Sequence, residues 1–248
     1  MTQQTPEQMV AELLPSIEMA IVTGISRWSG IFTVTGPVAG SAAVATKGNR
    51  CAAVWLKDMH LACCWEADGD TPAREQSVDS LAAGKAFTRS AVRAALGELD
   101  RSVPRRAPLP GSREALRALP RMVRDLIAVQ WPDREDPRSL IGLVGPAQWQ
   151  VLTTMHDWPG PADGSGSPVS FRGAMWALVP RLLERDDEGR RICYFFPPGS
   201  VAIGFSSLTA SHVRIEGDGL RAHLTMAQGG CQFEDAPVIA VPIGEDGN

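Results

Sequence analysis

The stretch Cys51-Ala-Ala-Val-Trp-Leu-Lys-Asp-Met-His-Leu-Ala-Cys-Cys-Trp65 decides how this chain is read. Two apolar runs, 51–56 and 59–65, flank Lys57-Asp58. This predicts a β-hairpin with a two-residue turn that pairs Trp55 with His60 and Cys51 with Cys64. Alternation then places Ala52, Val54, Leu56, Met59, Leu61, Cys63 and Trp65 on one apolar, core-facing side. Cys51, Ala53, Trp55, His60, Ala62 and Cys64 share the other. The segment gathers three of the five cysteines and one of the four histidines, so a metal site is the first chemistry to test. His60 and Cys64 lie on one face but about 13 Å apart along a strand. A zinc ion with bonds of about 2.0–2.3 Å cannot bridge that gap. Only a helical conformation would bring His60, Cys63 and Cys64 to one side. The hairpin leaves the cross-strand pair Cys51 and Cys64 as a dithiol or a redox-sensitive disulfide.

Around this segment the chain reads as an ordinary globular protein of 248 residues, 44% hydrophobic and 21% charged, with a net charge of -4. The acidic balance argues against general nucleic-acid binding. An odd number of cysteines, two of them adjacent, fits reduced thiols better than a secreted disulfide framework. The N-terminus has no basic start followed by an apolar stretch, and no run of about 18 apolar residues is evident. A cytoplasmic location without membrane insertion is the expectation. Arginine outnumbers lysine 21 to 3, as in a GC-rich bacterial coding sequence.

Thr5 and Pro6 open an amphipathic helix over 6–22, which Pro15 should kink or split. Short alternating runs from Gly30 to Trp65 predict three or four antiparallel strands. Helix returns over 77–99 with a stripe of Leu81, Ala82, Phe87, Val92, Leu96 and Leu99. The segment 102–111, with three prolines in eight residues, is a connector. Further helices are predicted over 112–131, interrupted by Pro120, over 146–156, and over 170–185. Residues 159–168 form a Gly/Pro-rich surface loop. Strands follow at 192–196, 201–205, 213–216 and 220–225, the last two joined by a turn at 217–219. The expected fold is α+β: one domain spanning 1–248, with a mainly antiparallel sheet from two β regions, about 30–66 and 191–242, and helices from the N-terminus and the middle.

Two groups of side chains qualify as functional. Arg113, Arg117, Arg121 and Arg124 fall on one arc of the 112–131 helix, separate from the arc of Leu116, Leu119, Met122, Val123, Leu126 and Ile127. This cationic edge suits an acidic partner, and with Trp55 it makes the expected interaction surface. Cys51, Cys64, His60 and His156 are the candidates for thiol or acid–base catalysis. No CxxC or HxxxH spacing occurs, so neither a metal nor a cofactor is expected. Glycine-containing segments at 36–47 and 204–208 match no phosphate loop or nucleophile elbow. With no organised set of acids, bases or ligands, the leading expectation is a non-catalytic cytosolic interaction or accessory protein. Its partner would be another protein, an acidic one or a second copy. The alternatives are a small-molecule enzyme using the Cys/His set and an anion or nucleic-acid binder using the arginine edge.

Overall fold

A computed structural model describes residues 5–47, 50–66, 73–132, 139–164, 168–179, 183–216 and 219–245, without the side chains of 64–66, 73–80, 216 and 219. In chain order the elements are α1 (Pro6–Ser26), β1 (Thr33–Val38), β2 (Ala42–Lys47), β3 (Arg50–Trp55), β4 (Lys57–Glu66), α2 (Ala73–Ser102) and α3 (Arg113–Gln130). Then come β5 (Ile141–Val144), α4 (Pro146–Thr153), β6 (Val169–Phe171), β7 (Ala174–Leu178), β8 (Arg191–Phe196), β9 (Val201–Ser206), β10 (Thr209–Glu216), β11 (Gly219–Gln232) and β12 (Ile239–Ile243). The α+β class and the mostly antiparallel pairing hold; β1 with β9 and β5 with β7 are the parallel pairs. The chain divides into two compact units, one of residues 1–97 and 201–233, the other of 98–200 and 234–248.

The first unit is organised by the 14-residue strand β11. Leu220, Ala222, Leu224 and Met226 are all buried at every second position, the signature of a strand with one face on a core. β4 pairs along one edge of β11, from Gly219↔Glu66 to Gln228↔Lys57. β9 and then β10 run in succession along the other edge. Strands of both expected β regions meet in this sheet, but β2–β3 form a separate sheet and β8 with β12 lie in a third, so the one sheet expected from the sequence is divided. Behind it lies α2, whose Phe87, Ala91 and Ala95 are fully buried. A Cβ at Gly230 would collide with the Ala95 backbone, so a glycine is what lets helix and strand approach this closely.

α1 begins with a capping box in which Thr5 accepts from the Gln8 N–H and Gln8 returns the bond. It runs through Pro15 unsplit, and Val10, Ile17, Ile21 and Ile25 make its buried stripe. It crosses α2 at small residues, since a Cβ on Gly84 would meet Ala20 and one on Gly24 would meet Thr88. That crossing corrects the stripe expected on α2. Ala83 and Gly84 face inward, whereas Leu81 is 47% exposed and Ala82 is exposed.

The 51–65 segment is not a hairpin. Lys57 and Asp58 are already inside β4, and only Leu56 separates β3 from β4. β3 pairs with β2, joining Cys51 to Thr46 and Trp55 to Ala42, while β4 pairs with β11, joining His60 to Thr225 and Cys64 to Arg221. Lys-Asp lacks the residues that accept the positive φ of a two-residue turn, so the chain steps from one sheet into another.

The second unit is a five-stranded sheet in the order β12-β8-β5-β7-β6. Its central strand, β5, is buried at all four positions, as a strand covered on both faces must be. The helix expected over 170–185 is instead the β6–β7 hairpin. Arg172 and Gly173 take φ of 49° and 81°, the two positive values of a tight hairpin turn, and Phe171 pairs with Ala174 across it. Residues 180–182 lie outside the described residues. α3 is capped by Ser112, which accepts from the Ala115 N–H, and is not interrupted by Pro120, whose ring is buried in its apolar stripe. The Pro-rich connector is extended and tied to β12, with Arg106 N–H donating to the Ala240 carbonyl at 2.8 Å and Leu109 N–H to the Pro242 carbonyl at 2.9 Å. Trp176 packs edge-on against Phe195 with centroids 5.8 Å apart. The single tyrosine, Tyr194, donates its hydroxyl to Asp100.

Candidate functional site

In the β2–β3 ladder, alternation separates two faces. Ala43, Ala45 and Val54 are buried on the inner one, and a Cβ on Gly204 of β9 would touch Ala43, Val54 and Leu56, so this face lies directly on the sheet. The outer face carries Ala42, Val44 and Thr46 opposite Trp55, Ala53 and Cys51. All six are exposed, with Trp55 at 72% and Val44 at 65%. An outward tryptophan flanked by valine, alanine and cysteine is an apolar surface left exposed among the described residues. Large exposed apolar patches of that kind mark contact sites. The expected outward direction of Cys51, Ala53 and Trp55 is therefore what the structure shows, although their partner strand is β2 and not β4.

The remaining candidates do not converge. Cys51 and His60 sit on strands of different sheets, and the Cys64 side chain lies outside the described residues. His60 Nδ1 is 2.9 Å from Thr225 Oγ1, a cross-strand contact on an exposed face. Cys51, Cys63, Cys193 and Cys231 form no disulfide among the described residues. Cys193 is fully buried, and that burial pushes its pKa up to about 12, the opposite of an activated nucleophile. His156 is exposed after the end of α4, and the neighbouring Asp157 pairs with Arg172. No group of three or more His, Cys, Asp or Glu side chains able to hold a metal occurs among the described residues.

The arginine edge of α3 is continuous because the helix is. Arg113 Nε donates to Thr154 Oγ1 at 3.2 Å, and Arg124 donates to the Gly173 carbonyl. Those two arginines tie α3 to the end of α4 and to the β6–β7 turn, leaving Arg117 and Arg121 exposed. Helix α1 is long and apolar enough, by length and composition, to cross a membrane. In this fold its isoleucine stripe is buried within the protein.

No family model matches the chain, and no characterised protein matches it by sequence. Solved structures match it by fold. The virus-like particle of Pyrococcus furiosus aligns with a TM-score of 0.60 at 12% identity, over 93% of this chain and 98% of its own. The capsid of Ralstonia phage GP4 aligns with 0.57 at 11% identity, over 89% of each chain. The SrpI encapsulin complex of Synechococcus elongatus aligns with 0.53 at 11% identity, over 85% and 84%. The fold thus resembles the HK97-like fold of capsids and encapsulins. That likeness overturns the expectation of a generic accessory protein, because the matched structures are building blocks of shells. Of the residues considered for catalysis, Cys51 lies in the β2–β3 sheet, His60 and Cys64 lie on β4, and His156 follows α4.

Proposed function

We propose that this chain is the subunit of a closed, homo-oligomeric protein shell assembled in the cytoplasm. The observation that carries the reading is the fold likeness to the virus-like particle chain, which runs over 93% of one chain and 98% of the other. The partner is then a second copy, and the acidic protein expected from the arginine edge is not needed. The outer face of β2–β3 supports the reading on physical grounds. Trp55 and Val44 are exposed apolar side chains that a neighbouring copy would cover, and tryptophan is among the residue types enriched at the energetic centres of such contacts. In a closed shell one surface meets a different surface of the next copy, and rotation about each contact closes the assembly. Helix α1 packs into the folded subunit through its buried isoleucines.

The test is the size of the purified full chain, by mass photometry and negative-stain electron microscopy. Closed particles of uniform diameter, each built from many copies, are expected. A monomer or dimer at every protein concentration and ionic strength would overturn the proposal.

A further inference from the structure

β10 and β11 carry on their solvent side a cluster that neither the core nor the proposed contact face uses. Burial of Leu220, Ala222, Leu224 and Met226 turns Arg221 and His223 to the exposed side of β11. The register then sets Arg214 of β10 directly opposite Arg221. Like charges facing each other across a ladder weaken it unless other groups compensate them. Next to this pair the ladder shifts register between Ser211 and Arg214. His212 takes a left-handed φ of 51°, and its ring meets that of His223 nearly edge-on, 5.4 Å between centroids and 69° between planes. Strained backbone that serves to re-aim a side chain is a common feature of binding sites.

These four side chains line a hollow of about 330 Å³, with Ala62 and Cys63 of β4 beside them, and no carboxylate is among its described lining residues. We propose that the hollow binds a tetrahedral oxyanion of the phosphate type. The guanidinium groups of Arg214 and Arg221 would grip it, and the imidazole N–H groups of His212 and His223 would complete its hydrogen bonds. Both arginines already have a partner, but a guanidinium has five N–H donors and can serve an anion as well. Its planar fork matches two oxygens of a phosphate at once. An anion between Arg214 and Arg221 also turns their mutual repulsion into a shared attraction. A cation is disfavoured by the same set, which offers two arginines and no cluster of three metal-binding side chains among the described residues.

The experiment is equilibrium dialysis of the full chain against labelled inorganic phosphate at fixed ionic strength. Binding is read alike on particle or monomer, so failure of the shell proposal leaves the result interpretable. Saturable binding of one phosphate per chain is expected. Arg214→Gln with Arg221→Gln should weaken it about tenfold or more, and His223→Asn should weaken it less. Arg117→Gln with Arg121→Gln, on the exposed edge of α3, should leave it unchanged. All of these side chains are exposed, so an unaltered thermal melt verifies that each variant is folded. A nucleoside monophosphate that competes identifies a monoester as an accepted source, and one that fails to compete limits the site to the free ion. Absence of saturation, indifference to the Arg214/Arg221 change, equal weakening in the α3 variant, or acetate competing as well as phosphate would each overturn the proposal.

Discussion

Trp55 on β3 is 72% exposed and Trp176 on β7 is wholly buried, although both stand in short apolar strands of similar composition. The difference lies in what surrounds each strand. β7 has β5 on one side and β6 on the other, and Trp176 packs on Phe195 while its Nε1–H donates to the Phe171 carbonyl at 3.0 Å. β3 has β2 as its ladder partner, and the two-stranded sheet they make is packed on its inner face. A sheet closed on both faces spends its apolar side chains on the stability of its own unit. A hairpin closed on one face leaves the other half to be covered by something else. Trp176 therefore answers to the free energy of folding, whereas under the proposed shell reading Trp55 would answer to that of association.

The contrast breaks most visibly at Trp55. Trp55→Glu should abolish particles, seen by mass photometry as a collapse to small species, with the secondary structure and thermal melt of the subunit retained. Particles that survive this change would remove β2–β3 from the contact. At the opposite pole, Trp176→Ala removes a fully buried side chain and should cost about 3–5 kcal/mol in denaturant unfolding. Trp55→Ala measured in the same way on dissociated subunits should stay within about 0.5 kcal/mol of the parent. Equal costs at the two tryptophans would mean that the hairpin is part of the folding core after all.

Asp100 sharpens the buried side of the comparison. Burial holds its carboxyl above the ordinary aspartate range and Glu184 adds to that, while the Tyr194 hydroxyl and Arg105 pull the other way. Burial likewise raises the Tyr194 phenol, which stays protonated as the donor. A raised acid keeps its proton in the folded chain after the unfolded chain has lost it. Stability therefore falls as pH rises from the unfolded value near 3.8 through the folded one, and is flat above. Asp100→Asn keeps an acceptor for Tyr194 and should erase that slope without loss at neutral pH. Asp100→Ala leaves the hydroxyl unsatisfied and should cost about 1–3 kcal/mol. An unchanged slope in Asp100→Asn would assign the pH dependence elsewhere. A local effect is expected at Ser112: Ser112→Ala removes the α3 cap and should lower stability by about 1 kcal/mol in the same unfolding assay.

Much of the local structure was legible in the residues. Thr5-Pro6 marks the start of α1 to the residue, and the helix read over 112–131 starts one residue later, at Arg113. The outward set Cys51, Ala53, Trp55 and the inward set Val54 and Leu56 follow from the sequence, because side-chain direction needs only the two-residue period of a strand. Arg172-Gly173 forms a turn inside the stretch 170–185, whose apolar residues by themselves suit a helix. A short apolar run does not distinguish a buried strand from a buried helix by period alone. Neither Pro15 nor Pro120 broke its helix. Pro120 is held in the buried stripe of α3, and packing there offsets the missing backbone bond.

The cluster at His212, Arg214, Arg221 and His223 had no comparable signature. Arg214 and Arg221 are seven positions apart, and only the register of β10 on β11 makes them neighbours. Spacing alone cannot reveal a bulge that brings His212 beside His223. The same holds for the segment that decided the first reading. Which way Trp55 points was determined within five residues of chain by the alternation of a strand. Whether Trp55 faces His60 or Ala42, and whether its face meets a core or the solvent, was decided by pairing between strands far apart in sequence. Pairing is a competition among all the edges the folded chain offers, and that competition exists only once the tertiary structure has formed.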